Sequence, residues 1–296
     1  MYLIFTEDDG WHTNQLIEAF KKNNKNVQTV KINESSIVID DNPKIIFQNN
    51  EIQLNIIEGA FVRGIPGGSL EEVCYHLDVL HFLELHNVTV YNNTTCIEKS
   101  VDKVRTSCIL NANNIATPKT YITSNIKDLK RFRNKFSREL CVCKPIFGSQ
   151  GKGLEILNDD NVHPDYNSLN NVYYIQEFIK NPNNIFTDWR IFVVNNEVVA
   201  SMTREGKSWI NNVASGASCK SFEPNDEMKE LAILSSKSLE MNYSGVDIML
   251  SNEGFTVTEV NSIPAWKGLQ SVNKDKNIAE IMINDFLRIC ENKNDN

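Results

Sequence analysis

Short apolar runs alternate along the first third of the chain with apolar positions repeating at helical spacing. Tyr2 to Thr6 predicts a strand, broken by Asp8-Asp9-Gly10. Leu16, Ile17 and Phe20 then follow at helical spacing and stop at the polar Lys21-Lys22-Asn23-Asn24. Val27 to Ile32 predicts a second strand, residues 44–55 a hairpin around Asn49-Asn50, and Gly59 to Arg63 a strand entering the turn Gly64-Ile-Pro-Gly-Gly. Ser69 with Glu72 three residues on forms a capping box, opening a helix with Leu70, Val73, Leu77, Leu80 and Leu83 on its buried stripe. Val88 to Tyr91 is another strand. Strand and helix in alternation predict an open α/β domain over residues 1–97.

The pattern then changes. Ile97 to Ala112 predicts one helix carrying Asp102, Lys103 and Arg105, and Asn125 to Phe136 a basic helix. Leu140 to Phe147 is a strand, followed by Gly148-Ser-Gln-Gly-Lys-Gly153 and a second strand at Leu154 to Leu157. Glycines in such a hairpin loop let backbone N–H groups approach phosphate oxygens, although an ordinary surface loop has the same composition. No Lys-Ser/Thr opening a helix follows the glycines, so this is not a Walker A loop. Further strands are predicted at Val172 to Ile179 and at Asp188 to Val194, the latter turning through Asn195-Asn196 into Glu197 to Thr203. Residues 209–218 read as a loop and Glu227 to Met241 as a helix; Ile278, Ile281, Met282 and Phe286 mark a final amphipathic helix. The class is α/β, with α+β in parts.

Length bounds the organisation: 296 residues imply two or three domains. The 38 acidic residues outweigh 30 basic ones, a formal net charge of −8, which argues against a nucleic-acid or anionic-membrane partner. The first residues lack the basic start and apolar core of a signal peptide, and there is no apolar run of about twenty residues that would span a membrane. A cytoplasmic location is expected, where seven cysteines stay reduced. Cys141 and Cys143 read as packing residues of their strand.

The candidate chemistry is densest in Tyr243 to Asn261, where two apolar runs flank Asn252-Glu253-Gly254. A three-residue turn there pairs Ser251 with Phe255, and counting back sets Asp247 opposite Glu259, with Asn261 on the same face as Glu259. The arrangement is either an acidic face on a surface strand or a cation site. Two facing carboxylates repel unless a cation lies between them, and hard oxygen ligands suit Mg²⁺. Arg63 at the end of its strand is either solvated or an anion contact for a substrate carboxylate, since open α/β sheets place ligands at that end.

In order, the chain presents Lys103, Lys144 before the glycine-rich loop, Gln176-Glu-Phe-Ile179, Asp188-Trp-Arg190, Arg204, Gly245-Val-Asp247 and Glu259-Val-Asn-Ser-Ile-Pro264. That series resembles the ATP-grasp superfamily, and within it the RimK-like glutamate ligases, over nearly the whole chain. Gly10-Trp-His, Val62-Arg-Gly-Ile-Pro and Pro264-Ala-Trp-Lys-Gly-Leu-Gln270 are most similar to a branch associated with tetrahydromethanopterin glutamylation.

The resemblance implies three domains, at 1–97, 98–178 and 179–296, with ATP between the second and third. It also implies amide formation through an acyl phosphate, with L-glutamate joined to a small-molecule or peptide carboxylate. Lys103 and Lys144 would hold phosphate oxygens, with Ser149 and Gly151 covering them. Gln176, Glu177, Phe178 and Ile179 would frame the adenine, Asp188 would accept from ribose or the adenine edge, and Asn211 and Asn212 would complete the ATP site. Asp247, Glu259 and Asn261 would hold Mg²⁺ or Mn²⁺; Arg190 and Arg204 would steady the carboxylate and acyl phosphate; Arg63 and His12 would face the acceptor. His76, His81, His86 and His163 have no role in that set. Ile210 and Ser215 stand where arginines are expected, which leaves open a non-catalytic nucleotide-binding module as well as a ligase for a ribosomal protein C-terminus. Homo-oligomer formation is likewise open.

Overall fold

The computed structural model describes residues 1–48, 50–125, 127–129, 140–148, 151–157, 169–180, 186–211 and 216–294. In chain order the first elements are β1 (Tyr2–Phe5), α1 (Trp11–Lys22), β2 (Val27–Val30), β3 (Ser35–Val38), β4 (Lys44–Phe47), β5 (Asn50–Gln53), β6 (Gly59–Val62), α2 (Leu70–Leu85) and β7 (Thr89–Tyr91). Then come α3 (Thr94–Val101), α4 (Lys103–Ala112), β8 (Thr120–Thr123), β9 (Cys141–Lys144), β10 (Glu155–Leu157) and β11 (Tyr173–Glu177). The remainder is β12 (Phe186–Val194), β13 (Glu197–Gly206), β14 (Ser218–Ser221), α5 (Asp226–Ser238), β15 (Tyr243–Ser251), β16 (Gly254–Asn261), α6 (Lys267–Val272) and α7 (Ile278–Asn294). Among the described residues no helix is long and apolar enough to cross a membrane.

These elements form two compact units. The first comprises Met1–Glu98, Met241–Tyr243 and Ser262–Asn296, the second Lys99–Glu240 and Ser244–Asn261. Residues 262–296 thus belong with the first unit, although the boundaries expected from the sequence placed them in the third domain.

In the first unit a parallel sheet runs in the order β2-β1-β6-β7. Every residue of β1 and β6 is buried, as befits a parallel sheet covered on both faces. Side chains alternate between the faces. Leu3, Phe5, Ala60 and Val62 pack with Val79, Leu80 and Leu83 of α2 and with Ile45, Phe47 and Ile52 of the antiparallel sheet β3-β4-β5. Tyr2 and Phe61 point the other way. There Phe286 of α7 is ringed by Tyr2, Phe20, Phe61 and Tyr91 at centroid distances of 5.7, 6.0, 5.9 and 5.5 Å. Gly59 permits this approach: a Cβ at that position would lie 2.6 Å from Cys290 Sγ and 2.7 Å from Phe286 Cζ. The fully buried Asn92 stitches the discontinuous pieces together. Its Nδ2 donates to the carbonyls of Tyr243 (2.8 Å) and Ser262 (2.7 Å), and its Oδ1 accepts from the N–H groups of Asn242 (2.7 Å) and Tyr243 (3.1 Å).

The second unit carries an antiparallel sheet ordered β10-β9-β11-β8 and a second ordered β14-β13-β12-β15-β16. Cys141 and Cys143 pack in the core of the first of these sheets with Leu157, Tyr173 and Ile175. The N–H of Val257 donates to the Ala116 carbonyl at 2.8 Å, tying β16 to the segment before β8. The single helix expected at 97–112 is two, α3 and α4. Asp102 breaks it because its carboxylate accepts from the N–H groups of Val104 (2.9 Å) and Arg105 (3.1 Å), capping α4. β3, β14 and α6 had no counterpart in the expected elements, and most of the helix expected at Asn125 to Phe136 lies outside the described residues.

Candidate functional site

The hairpin of β15 and β16 positions the acidic pair by a route that simple counting misses. Its turn is two residues long, with Ser251 opposite Gly254, and the pairing runs regularly to Ile248 opposite Val257. A β-bulge then leaves Thr258 unpaired and sets Asp247 opposite Glu259 and Gly245 opposite Asn261. The expected pairing of Ser251 with Phe255 is therefore corrected, while the opposition of Asp247 and Glu259 stands. The Thr258 hydroxyl donates to the Asp247 carbonyl at 3.2 Å within the bulge.

A second bulge does the same on the neighbouring hairpin. Asn195 and Asn196 take left-handed conformations (φ +50° and +62°) and form the turn, with Val194 opposite Glu197. A register shift after Phe192 then sets Asp188 directly opposite Arg204. Bulges re-aim side chains in this way beside functional sites.

The result is a buried chain of alternating charge. Arg204 donates from Nε to Asp188 Oδ1 (2.6 Å) and from Nη2 to Asp188 Oδ2 (2.8 Å). Its Nη2 also lies 2.9 Å from Asp247 Oδ2. Arg190 donates from Nε to Asp247 Oδ1 and from Nη2 to Asp247 Oδ2, both at 2.7 Å. Asp188, Arg204 and Asp247 are only 8%, 4% and 5% exposed. Burial pushes both carboxyls upward. At Asp247 the two guanidiniums outweigh it and hold the group well below the usual carboxylate range. Asp188, with one bidentate partner and Asp247 nearby, stays raised.

Both oxygens of Asp188 thus accept from Arg204, and Arg190 and Arg204 are both held on carboxylates.

A cavity in the same unit is lined by Lys103, Lys144, Tyr174, Gln176 and Glu259. Lys103, the first residue of α4, donates to the carbonyls of Gly148 (2.8 Å) and Ile146 (3.3 Å) and so grips the entry to the glycine-rich loop. Lys144, the last residue of β9, donates to Gln176 Oε1 at 2.6 Å. Gln176 Nε2 in turn donates to Thr120 Oγ1 and Tyr174 Oη, both at 3.0 Å, and Tyr174 Oη lies 2.7 Å from Ser107 Oγ. Burial pushes the Lys144 ammonium down to about 8, against the pull of Glu259 and aided by Lys103. Burial lowers Lys103 as well, again with Glu259 opposing. Two half-buried lysines thus share one cavity with one carboxylate, and among the described residues neither forms an ion pair with it.

β9 and β10 pair antiparallel around the loop, with Gly151 and Gly153 at φ +73° and +72°, conformations that favour glycine. Ser149, Asn212 and Ser215 lie outside the described residues. The N–H groups of Glu177 and Phe178 donate to the carbonyls of Lys119 and Leu140, both at 2.9 Å. The Phe178 ring meets that of Trp209, from the loop after β13, edge-on at 6.0 Å between centroids. Asn211 Nδ2 donates to the Arg204 carbonyl at 2.9 Å, while its Oδ1 is buried and unpartnered.

The donor set of Asp247, Glu259 and Asn261 fits a hard divalent cation. Asp247 is ionised, and its three contacts leave about one of roughly four lone-pair sites on the carboxylate. The Asn261 amide nitrogen is buried without a partner, so turning the amide over presents its oxygen at no cost in hydrogen bonds. Arg63 and His12 belong to the first unit. His81 contacts Glu98 at 2.9 Å, His76 is buried and His163 lies outside the described residues.

Residues 100–286 match the family described as the RimK-like ATP-grasp domain. The tetrahydromethanopterin:alpha-L-glutamate ligase of Methanocaldococcus jannaschii is 34% identical, covering 96% of this chain and 97% of that protein. The enzyme of the same name from Methanococcus maripaludis is 32% identical over 97% of this chain and 98% of its own length. Among solved structures, the ATP-grasp ligase PsnB complexed with minimal precursor, Mg and ADP superposes with a TM-score of 0.72 at 15% identity, covering 98% of both chains.

Proposed function

This chain belongs to the RimK-like ATP-grasp family, and we propose that it joins L-glutamate through an amide bond to a carboxylate on a small pterin-like molecule. The near-full-length similarity to two tetrahydromethanopterin:alpha-L-glutamate ligases supports that acceptor class. The chemistry is that of an ATP-dependent carbon–nitrogen ligase. The acceptor carboxylate attacks the γ-phosphorus, the bond to the bridging oxygen breaks and ADP leaves. The amine nitrogen then attacks the acyl carbon, phosphate departs with the C–O electron pair, and the surplus proton on nitrogen is released.

One observation carries the reading: Lys103 and Lys144 converge with Glu259 on a single cavity. Phosphoryl transfer asks mainly for fixed charge and position, because negative charge spreads over the transferred oxygens. In this reading Lys103 and Lys144 take phosphate oxygens, and Gly151 lets the loop close over them. Gln176 holds Lys144 in place; Glu177, Phe178 and Ile179 frame the adenine, with Trp209 packed on Phe178; Asn211 offers its free Oδ1. Asp247, Glu259 and Asn261 hold Mg²⁺, which when bound neutralises phosphate charge. Arg190 and Arg204 fix Asp247 in its ionised form, and Asp188 fixes Arg204. The reaction takes place in the cytoplasm, with no nucleic acid or membrane involved.

The test is ADP release with purified protein. It should require both a carboxylate acceptor and L-glutamate, and Lys144→Ala or Glu259→Ala should abolish it. Turnover indifferent to both substitutions would remove the cavity from the mechanism.

A further inference from the structure

Three stretches remote in sequence meet in the first unit, and the nucleotide chemistry uses none of them. Trp11 and His12 open α1 after β1, Arg63 follows β6, and Trp266 and Lys267 begin α6. β1 and β6 are adjacent parallel strands, so the first two stretches leave the same edge of the sheet. Fully buried Trp266 is the centre. The His12 ring meets it edge-on at 4.5 Å, the Trp11 ring lies at 6.2 Å, and the Arg63 guanidinium carbon sits over it at 5.3 Å.

His12 is fixed in its neutral form. Its Nε2 accepts from the N–H groups of Trp266 and Lys267, both at 3.2 Å, which places the ring proton on Nδ1. Burial and the nearby Arg63 push its pKa down to about 4. His12 therefore supplies a rigid wall and no charge.

Two donors in the cluster have no acceptor: Arg63 Nε and Trp266 Nε1 are both sealed from water and unpartnered. Among the described residues Arg63 also lacks an ion pair. Asp8 and Glu7 act on it only at a distance, and Asp8 Oδ1 accepts from the Gly10 N–H at 2.8 Å. Burial lowers the pKa of the guanidinium, as it does for any enclosed charge. A partly buried guanidinium held over an aromatic ring, with a sealed Nε and no ion pair among the described residues, is suited to an anion.

We propose that the Arg63 guanidinium binds a carboxylate of one of the two organic reactants, with Trp11, His12 and Trp266 walling the site. The identity of the ligand rests on the ligase reading; the existence of an anion site does not. Either the acceptor or L-glutamate could present this group.

The test has two arms, both on the full chain. Calorimetry without nucleotide uses glutarate and L-glutamate as probes on wild type, Arg63→Gln and Arg63→Lys. Binding of at least one probe, weakened tenfold or more by Arg63→Gln and partly rescued by Arg63→Lys, is the expected result. Affinities indifferent to both substitutions, or no binding by either probe to wild type, would overturn the proposal. The kinetic arm assigns the source. A tenfold rise in KM for the acceptor or for L-glutamate, with the KM for ATP unchanged, identifies the reactant held by Arg63. Both values within twofold of wild type would overturn the proposal, whereas wild-type protein that binds a probe through Arg63 but turns nothing over would count against the ligase reading alone.

Discussion

Lys144→Met removes the more heavily desolvated of the two lysines that line the cavity with Glu259, while keeping a chain of similar length. The fall from 10.5 to about 8 means that the charged form costs the empty protein about 3 kcal/mol, at roughly 1.4 kcal/mol per pH unit. The unfolded lysine holds its proton up to a higher pH than the folded one. Between about 8 and 10.5 the unfolded state therefore binds more protons, and stability rises with pH. From pH 7 to 9.5 this contribution to wild-type stability amounts to about 2 kcal/mol. Methionine abolishes it, so the difference between wild type and variant should change by that amount, with titrations common to both cancelling. At pH 7 the variant regains the desolvation cost but strands Gln176 Oε1, which costs about 1–3 kcal/mol. Its net stability should lie between that of wild type and about 2 kcal/mol above it. Affinity for ATP should nevertheless fall about 30-fold or more, since a charge-assisted contact of about 2 kcal/mol is lost. Urea unfolding across the pH range and calorimetric titration with ATP measure the two effects. A difference curve flat in pH, or a variant that loses several kcal/mol of stability while binding ATP normally, would refute the reasoning.

Arg204→Met should cost about 3–5 kcal/mol in urea unfolding, because Asp188 loses its guanidinium and Asp247 one of two; adding Asp188→Asn should recover part of the loss, and a single variant within about 1 kcal/mol of wild type would show the cluster to be idle. Gly59→Ala should lower stability by about 1–3 kcal/mol through overpacking against Phe286 and Cys290, seen as a reduced melting temperature; an unchanged melting temperature would mean that α7 is free to move away. Trp209→Ala should weaken ATP binding by about 0.5–1.5 kcal/mol through loss of the edge contact to Phe178, leaving the KM for the other reactants unchanged; unaltered ATP affinity would detach Trp209 from the base site.

Much of this was legible in the residues because local signals agreed. The Ser69–Glu72 capping box is present in full, with the Ser69 N–H donating to Glu72 Oε2 at 2.7 Å and the Glu72 N–H to Ser69 Oγ at 3.2 Å. The Asn195-Asn196 turn formed as its residue types ask, and Lys144 ends its strand as read. The failures share one cause. Alternation along a strand reports which residues could share a face, but register depends on insertions that no polarity pattern marks. For Asp247 and Glu259 the expected turn was one residue too long and the bulge at Thr258 was unseen, so two errors cancelled. The opposition of Asp188 to Arg204 was unseen for the same reason, because it arises only after the shift beyond Phe192. Arg63 and His12 were expected on one side by resemblance, but their packing on Trp266 is created by long-range closure of the chain, which no local pattern reports.

The ring of aromatics around Phe286 has a consequence for biogenesis. The strands it covers leave the ribosome early, whereas Phe286 and Cys290 emerge only after the entire second unit has been translated. Until then one greasy side of the first sheet stands open, and Asn92 waits for the carbonyls that hold it. The nascent protein must carry that vulnerable surface through most of its synthesis, so chaperone dependence and aggregation on premature termination should track the loss of α7 more closely than any defect in the nucleotide cavity.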